Sequence, residues 1–146
     1  MKILVINGPN INMLGVREPD LYGKNTYREL IAKIKRECAL SGVKVAFYQS
    51  NHEGDLVTAI QKACGRYDGI ILNAAAYTHT SIAILDALKC AALPCAEVHI
   101  TDVSEREEYR RHSFVSEYAF TVIKGEGADG YVHAVREIVN YLKMVD

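Results

Sequence analysis

Short apolar runs alternate with segments whose apolar residues recur at helical spacing. Lys2–Asn7 (KILVIN) is apolar, partly β-branched and ended by Gly8-Pro9, which predicts a buried strand. Thr26-Tyr27-Arg28-Glu29 fits a T-x-x-E capping box. Behind it Tyr27, Leu30, Ile31, Ile34 and Cys38 fall on one helical face, and Gly42 ends the helix. Residues 43–48 read as a second strand. Ser50-Asn51-His52-Glu53 fits a second capping box, with Leu56, Ile60 and Ala63 following on one face. Strands are predicted at 69–72, 94–100 and 119–123. Helices are predicted at 81–92, apolar nearly all round, and at the C-terminal end, where Val132, Val135, Ile138, Val139 and Leu142 recur. The charged segment 104–112 reads as one or two helical turns.

This alternation predicts a parallel sheet with helices on both faces. The most economical arrangement is a flavodoxin-like three-layer α/β sandwich, with a five-stranded sheet in the order 2-1-3-4-5. No linker, repeat or low-complexity tract interrupts it, so residues 1–146 form one predicted domain. In such sheets ligands bind beyond the carboxyl ends of the strands, near the switch point between the first and third. The loops after strands one, three and four are where chemistry is expected.

Composition narrows the classes. The chain of 146 residues has 17 Lys+Arg against 18 Asp+Glu, a formal charge of -1. That balance argues against binding nucleic acid. No apolar run approaches the roughly 20 residues of a membrane span, and the start breaks too early for a signal peptide. The expected location is cytoplasmic. Cys38, Cys64, Cys90 and Cys95 form no C-x-x-C pair and are expected as buried, reduced thiols.

The loop after strand one runs from Asn7 to Gly23, well beyond the usual 2–6 residues of a βα loop. With its glycines and prolines it reads as a lid over about residues 8–24, carrying Arg17 and Tyr22. After strand three comes Asn73-Ala74-Ala75-Ala76-Tyr77-Thr78-His79, small residues followed by polar ones at a helix N-terminus. His79 there is either a site residue or a helix cap. On strand four, Glu97 and His99 share one side, by alternation. A carboxylate beside an imidazole fixes its tautomer and suits a general acid, or it is a structural salt link. Arg106 and Arg110 would share a face if their segment were helical, and so could clamp a carboxylate. Alternatively they belong to a solvated face with Glu105, Glu107 and Glu108.

Several motifs are set aside. Gly125-Glu126-Gly127-Ala128-Asp129-Gly130 matches G-x-G-x-x-G, yet no later strand or acidic ribose partner follows it. A receiver domain would use Lys124 with an acidic pocket, where this chain has Asn7, Asn10 and Asn73. No pair among the five histidines has metal-ligand spacing on one helix. The expected site is therefore free of cofactor and metal. Its arginines imply a small anionic substrate. Its tyrosine and histidines imply proton transfer in an elimination, isomerisation or enolisation.

Seven stretches together resemble one family, the type II 3-dehydroquinate dehydratases. They are N-G-P-N-I-N-M-L-G at 7–15, R-E-P-D-L-Y-G at 17–23, Q-S-N-H-E-G-D-L at 49–56, A-Y-T-H-T-S-I-A at 76–83, E-V-H-I at 97–100, R-E-E-Y-R-R-H-S at 106–113 and G-E-G-A-D-G-Y at 125–131. The resemblance implies loss of water from 3-dehydroquinate to give 3-dehydroshikimate, in the shikimate or quinate pathway. It implies that Tyr22 is the base, with Arg17 beside it, and that Asn10 helps hold a water at the enolate. It implies that His99, oriented by Glu97, protonates the departing hydroxyl. Asn73, His79 and Arg110 would bind substrate hydroxyls, and the backbone of Ile100 and Thr101 would hold the carboxylate. Asp86 would reach a neighbouring subunit's site within a homododecamer, a tetramer of trimers.

This chain departs from the family pattern in places. Ala74-Ala75 stands where Pro-Gly is usual, Thr101-Asp102 where Ser-Asn is usual, and Leu85 where Arg is frequent. Asp102 would add negative charge near an anion site. A free tyrosine ionises near pH 10, so poising it at pH 7 costs about 4 kcal/mol, and a close guanidinium recovers about 1–3 pH units of that gap. A lid would also exclude water from the reaction. Two other readings of the fold stay open. One is a module holding a flavin or nucleotide, which absorbance would reveal. The other is an assembly protein using the apolar helix 81–92 as an interface.

Overall fold

The computed structural model describes residues 1–145. Five parallel strands, β1 (Lys2–Asn7), β2 (Lys44–Gln49), β3 (Gly69–Asn73), β4 (Cys95–His99) and β5 (Thr121–Lys124), form one sheet in the order β2-β1-β3-β4-β5. The predicted flavodoxin-like order is the observed one. Four long helices cover the sheet: α2 (Tyr27–Leu40), α3 (Glu53–Ala63), α4 (Ile82–Ala91) and α5 (Asp129–Val145). A single turn, α1 (Pro19–Tyr22), lies in the loop after β1.

Strand alternation divides the core into two layers. Ile3, Val5, Ile71 and Val98 face α2 and α5, meeting Leu30, Ile34, Val135 and Ile138. Leu4, Ile6, Ile70 and Leu72 face α3 and α4, meeting Leu56, Ile60, Ile84 and Leu88. Central strands buried on both faces need apolar residues at consecutive positions, which is why β1 and β3 read as unbroken runs. Each fully buried Leu or Ile contributes roughly 1.5–3 kcal/mol by leaving water.

The first capping box forms as read. Thr26 Oγ1 accepts from Glu29 N–H at 3.2 Å, and Glu29 Oε2 accepts from Thr26 N–H at 3.0 Å. The second does not. The residue before α3 is His52, without a side-chain cap. Ser50 instead continues the strand end, its N–H donating to the Asn7 carbonyl, while its hydroxyl accepts from His52 N–H and donates to Asp55. The helix therefore starts two residues later than the box predicts.

Segment 104–112 is two separate 3₁₀ turns, Val103–Glu105 and Glu108–Arg110. Asp102 caps the first by accepting from Ser104 N–H at 3.0 Å, and Arg106 between them is extended. The cysteines divide: Cys38 and Cys95 are buried, but Cys64 and Cys90 are exposed, and all four are free. Cys64 follows the last turn of α3, and Cys90 sits on the outward face of α4, so helical spacing alone misassigned them. That outward face also leaves Ile82 56% exposed. No helix among the described residues is long and apolar enough to cross a membrane.

Candidate active site

Asn7 and Asn73 end β1 and β3 side by side, where the order of strands reverses. The chain after β1 must pass hard against the loop after β3. A Cβ on Gly8 would lie 2.4 Å from the Ala74 carbonyl oxygen, so only glycine fits. Gly8 N–H then donates to the Asn73 carbonyl at 2.7 Å. Beyond these ends lies a crevice of about 220 Å³. Asn10, Arg17 and Tyr22 reach it from the first loop, and Asn73 and His79 from β3 and the loop after it. His99, Ile100, Thr101 and Arg110 reach it from β4 and the segment beyond. Of the residues singled out in the sequence, Glu97 lies behind His99 and Asp86 stands on the exposed face of α4, outside this crevice.

The first loop is held from β2. Gln49 Nε2 donates to the Gly8 carbonyl at 3.2 Å, and Asn51 Oδ1 accepts from Asn10 N–H at 3.0 Å. Asn10 and Ala75, both lining the crevice, have positive φ of 69° and 52°, and Glu18 beside Arg17 has 39°. Such backbone strain in non-glycine residues gathers at functional sites.

Tyr22 carries two arginines. The Arg17 guanidinium lies 4.9 Å from its ring centroid and pairs with Glu18 at 3.4 Å. Arg106 Nη1 donates to the Tyr22 hydroxyl at 2.8 Å. Arg106 was legible as a candidate anion clamp, but its contact with the tyrosine was not. Helical i, i+4 spacing is not what brings Arg106 and Arg110 together, since no helix joins them. Both line the crevice, and Glu107 lies between them, 3.6 Å from Arg106 and 3.2 Å from Arg110. Tyr22 and Arg106 also border a second cavity of about 510 Å³. Asp102 lines that cavity, with its carboxylate 3.5 Å from Lys124.

His99 is 5% exposed and Glu97 is fully buried. His99 Nε2 sits 2.5 Å from Glu97 Oε1. Burial alone would push the Glu97 carboxyl up. Hydrogen bonds from His99, Ser113 and Ser116 overcome that and hold it below the ordinary glutamate value. An ionised carboxylate only accepts, so Nε2 carries the hydrogen and Nδ1 is left for the crevice. His79 has a different partner. Its Nδ1 lies 2.7 Å from the His112 carbonyl, which can only accept, so Nδ1 carries hydrogen and Nε2 is left free. Burial holds His79 below its ordinary value, and Arg110 adds to this.

Behind the crevice a buried set of polar groups fixes the strand ends. The Tyr131 hydroxyl donates to Asn7 Oδ1 at 2.6 Å and accepts from Asn73 Nδ2 at 2.8 Å. Asn73 Oδ1 accepts from Ala75 N–H at 3.0 Å. The G-x-G-x-x-G stretch has a comparable role. Gly125 and Gly127 donate to the His99 and Ile100 carbonyls, and a Cβ on Gly125 would press within 3.2 Å of Asp102. These glycines clip the turn before α5 onto the segment carrying Ile100 and Thr101. No cluster of three or more potential metal ligands occurs among the described residues.

Residues 1–139 match the family model for dehydroquinase class II. The chain is 48% identical over 143 residues to a 3-dehydroquinate dehydratase of Geotalea daltonii, covering 98% of this chain and 99% of that one. It is 47% identical over 145 residues to a catabolic 3-dehydroquinase of Verticillium alfalfae, covering 99% and 97%. The crystal structure of a type II dehydroquinase from Butyrivibrio crossotus superposes with a TM-score of 0.92 at 45% identity, covering 96% and 97%. The chain belongs to the class II dehydroquinase family.

Proposed function

We propose that this chain is a 3-dehydroquinate dehydratase, a hydro-lyase that works without metal or cofactor through an enolate. The Tyr22 phenolate takes the proton from the carbon beside the substrate ketone. The electron pair moves onto the ketone oxygen, giving the enolate. As the enolate collapses, the carbon–oxygen bond of the β-hydroxyl breaks and His99 Nδ1 gives that oxygen a proton. Water leaves and a conjugated enone remains. Tyr22 returns its proton to solvent and His99 regains one, so the cycle balances.

The observation that carries this reading is that a tyrosine contacted by two arginines and a histidine backed by a buried carboxylate face one small crevice. Arg17 and Arg106 supply positive charge next to the oxygen that must become an anion. Glu97 supplies negative charge behind the imidazole that must be an acid. The free Nε2 of His79, with Asn73 and Arg110, would bind the substrate hydroxyls. The N–H groups of Ile100 and Thr101 would take the carboxylate, and Asn10 would help hold a water at the enolate oxygen. Asp102, next to Thr101, adds negative charge near that anion site, and Lys124 at 3.5 Å offsets part of it. Assembly belongs to the same proposal: in a dodecamer of four trimers, Asp86 on the exposed face of α4 would reach a neighbouring subunit's crevice.

The test is the rise in ultraviolet absorbance as the enone forms from 3-dehydroquinate. Turnover should persist in chelator and should fall to near background in Tyr22→Phe and His99→Ala. A protein inert toward 3-dehydroquinate, or a Tyr22→Phe variant at full rate, would overturn the proposal.

A further inference from the structure

We propose that Ser113 and Ser116, with Thr78 behind them, are positioning residues for the reaction: their hydroxyls hold the Glu97–His99 pair with its shared proton on the imidazole. This rests on the reading of His99 as the acid and assigns that role to side chains that never touch substrate.

Glu97 Oε1 has three hydrogen-bonding neighbours: His99 Nε2 at 2.5 Å, Ser113 Oγ at 2.5 Å and Thr78 Oγ1 at 3.1 Å. Glu97 Oε2 accepts from Ser116 Oγ at 2.5 Å. Thr78 Oγ1 and Ser113 Oγ are themselves 2.5 Å apart. Each hydroxyl has one hydrogen. The short contact between the two hydroxyls must hold one of them, and Thr78 has the longer path to the carboxylate. Thr78 therefore donates to Ser113, and Ser113 donates to Glu97. The carboxylate ends with neutral donors on both oxygens, and among the described residues the imidazole is the only side chain hydrogen-bonded to it that can bear positive charge.

That arrangement decides where a proton sits. When the pair holds one proton beyond the carboxylate–neutral imidazole state, two forms compete. One is a carboxylate with an imidazolium, whose Nδ1–H is a serviceable acid. The other is a carboxylic acid with a neutral imidazole, whose N–H is a very weak acid. Burial favours the second, uncharged form. Hydroxyl donors stabilise the carboxylate and favour the first. Without them the proton slips to Glu97, and the histidine loses its power to protonate the departing hydroxyl.

The same hydroxyls are tied to the walls of the crevice. Phe114 N–H donates to the Thr78 carbonyl at 2.8 Å, and Ser116 N–H donates to Ser113 Oγ at 3.3 Å. Thr78 adjoins His79, and His79 is bonded to the His112 carbonyl next to Ser113. A purely structural clip would account for these bonds but not for two serine hydroxyls donating to the two oxygens of one buried carboxylate, with Thr78 behind one of them.

The experiment measures two rates on 3-dehydroquinate deuterated beside the ketone: formation of the enone, and washout of deuterium from unreacted substrate. In His99→Ala, enone formation should fall while washout continues. Ser113→Ala and Ser116→Ala should do the same to a lesser degree, each lowering enone formation about 10-fold, as expected for a lost hydrogen bond to a charged group. The ratio of washout to turnover should rise by a similar factor. Ser116→Thr, which keeps the hydroxyl, should restore it. The ¹⁵N shifts of the His99 ring, at a pH where the parent shows imidazolium, should move toward neutral imidazole in Ser113→Ala/Ser116→Ala. The single variants give the same readings if the double variant does not fold. Alanine variants at the parental ratio would overturn the inference. So would equal loss of both rates, or Ser116→Thr falling as far as Ser116→Ala. An inert parent or a His99→Ala at full rate would instead overturn the reading of His99 itself.

Discussion

Arg106 and Tyr22 are far apart in the chain, yet the guanidinium Nη1 lies 2.8 Å from the phenol oxygen. Arg17 occupies a different position on the same residue, over the ring rather than at the oxygen. The two cations are therefore not equivalent. Only Arg106 donates directly to the atom that would carry negative charge. Arg106→Ala should lower kcat about 10²-fold, as expected when the phenolate base loses a charge-assisted hydrogen bond worth about 1.5–3 kcal/mol, with a smaller change in KM. Arg106→Lys should recover part of the loss, because an ammonium brings charge without the planar fork. Steady-state kinetics on 3-dehydroquinate checks both. An Arg106→Ala variant with unchanged kcat would leave Arg17 as the sole cation that matters to Tyr22.

Ala75 lines the crevice at a backbone position that favours glycine. Its φ is 52°, in the left-handed region where a side chain costs about 1–2 kcal/mol and glycine costs little. Part of that gain is lost to the greater freedom of glycine in the unfolded chain. Ala75→Gly should therefore raise stability by about 1 kcal/mol, or roughly 2–4 °C in Tm. Thermal and urea unfolding of the two proteins test this, and a destabilised variant would mean the Ala75 methyl packs better than its backbone is strained.

How far the sequence was legible follows from the range of each interaction. β1 and β3 announced themselves through unbroken apolar runs, and the strand order followed from alternation. Glu97 and His99 could be placed together because their relationship is local, two residues apart on a strand. Tyr22 and Arg106 meet only once the lid loop and the segment after β4 are both in place, and no periodicity records that. Ser113 and Ser116 carry no local signal of a role, because their partner Glu97 lies on another element. Segment 104–112 reads as one or two helical turns and forms two, but spacing does not record that the Asp102 cap and the extended Arg106 separate them, so Arg106 and Arg110 share no helical face.

Tyr131 shows what a hydroxyl can do from within the core. It is fully buried, and its oxygen serves Asn7 on one side and Asn73 on the other. Burial pushes its ionisation well above the ordinary tyrosine value, so it stays a neutral donor. Tyr131→Phe keeps the ring but strands two buried amide groups. The expected cost is about 1–3 kcal/mol of stability. KM should also rise, since Asn73 lines the crevice and its amide is aimed by this bond. Paired with Asn73→Ala, the effects on kcat/KM should be less than additive, because both changes remove the same interaction. Full additivity in that cycle would separate Tyr131 from the site.

Glu97 also sets how the fold responds to acid. Its carboxyl is held below the glutamate value of 4.5 that the unfolded chain would show, because its hydrogen bonds outweigh the burial that would raise it. Below about that pH the unfolded state binds a proton that the native state does not. The stability contributed by Glu97 is thus fully present above the unfolded value and is lost as pH falls through the native one. Urea unfolding across this range should show a decline in the parent that is shallower in Glu97→Gln, which has no proton to bind there. At pH 7 the glutamine variant should be less stable by about 1–3 kcal/mol, since its amide cannot accept from every donor converging on the carboxylate. Identical acid profiles for the two proteins would show that other carboxylates govern the transition and that Glu97 is not held ionised by its neighbours.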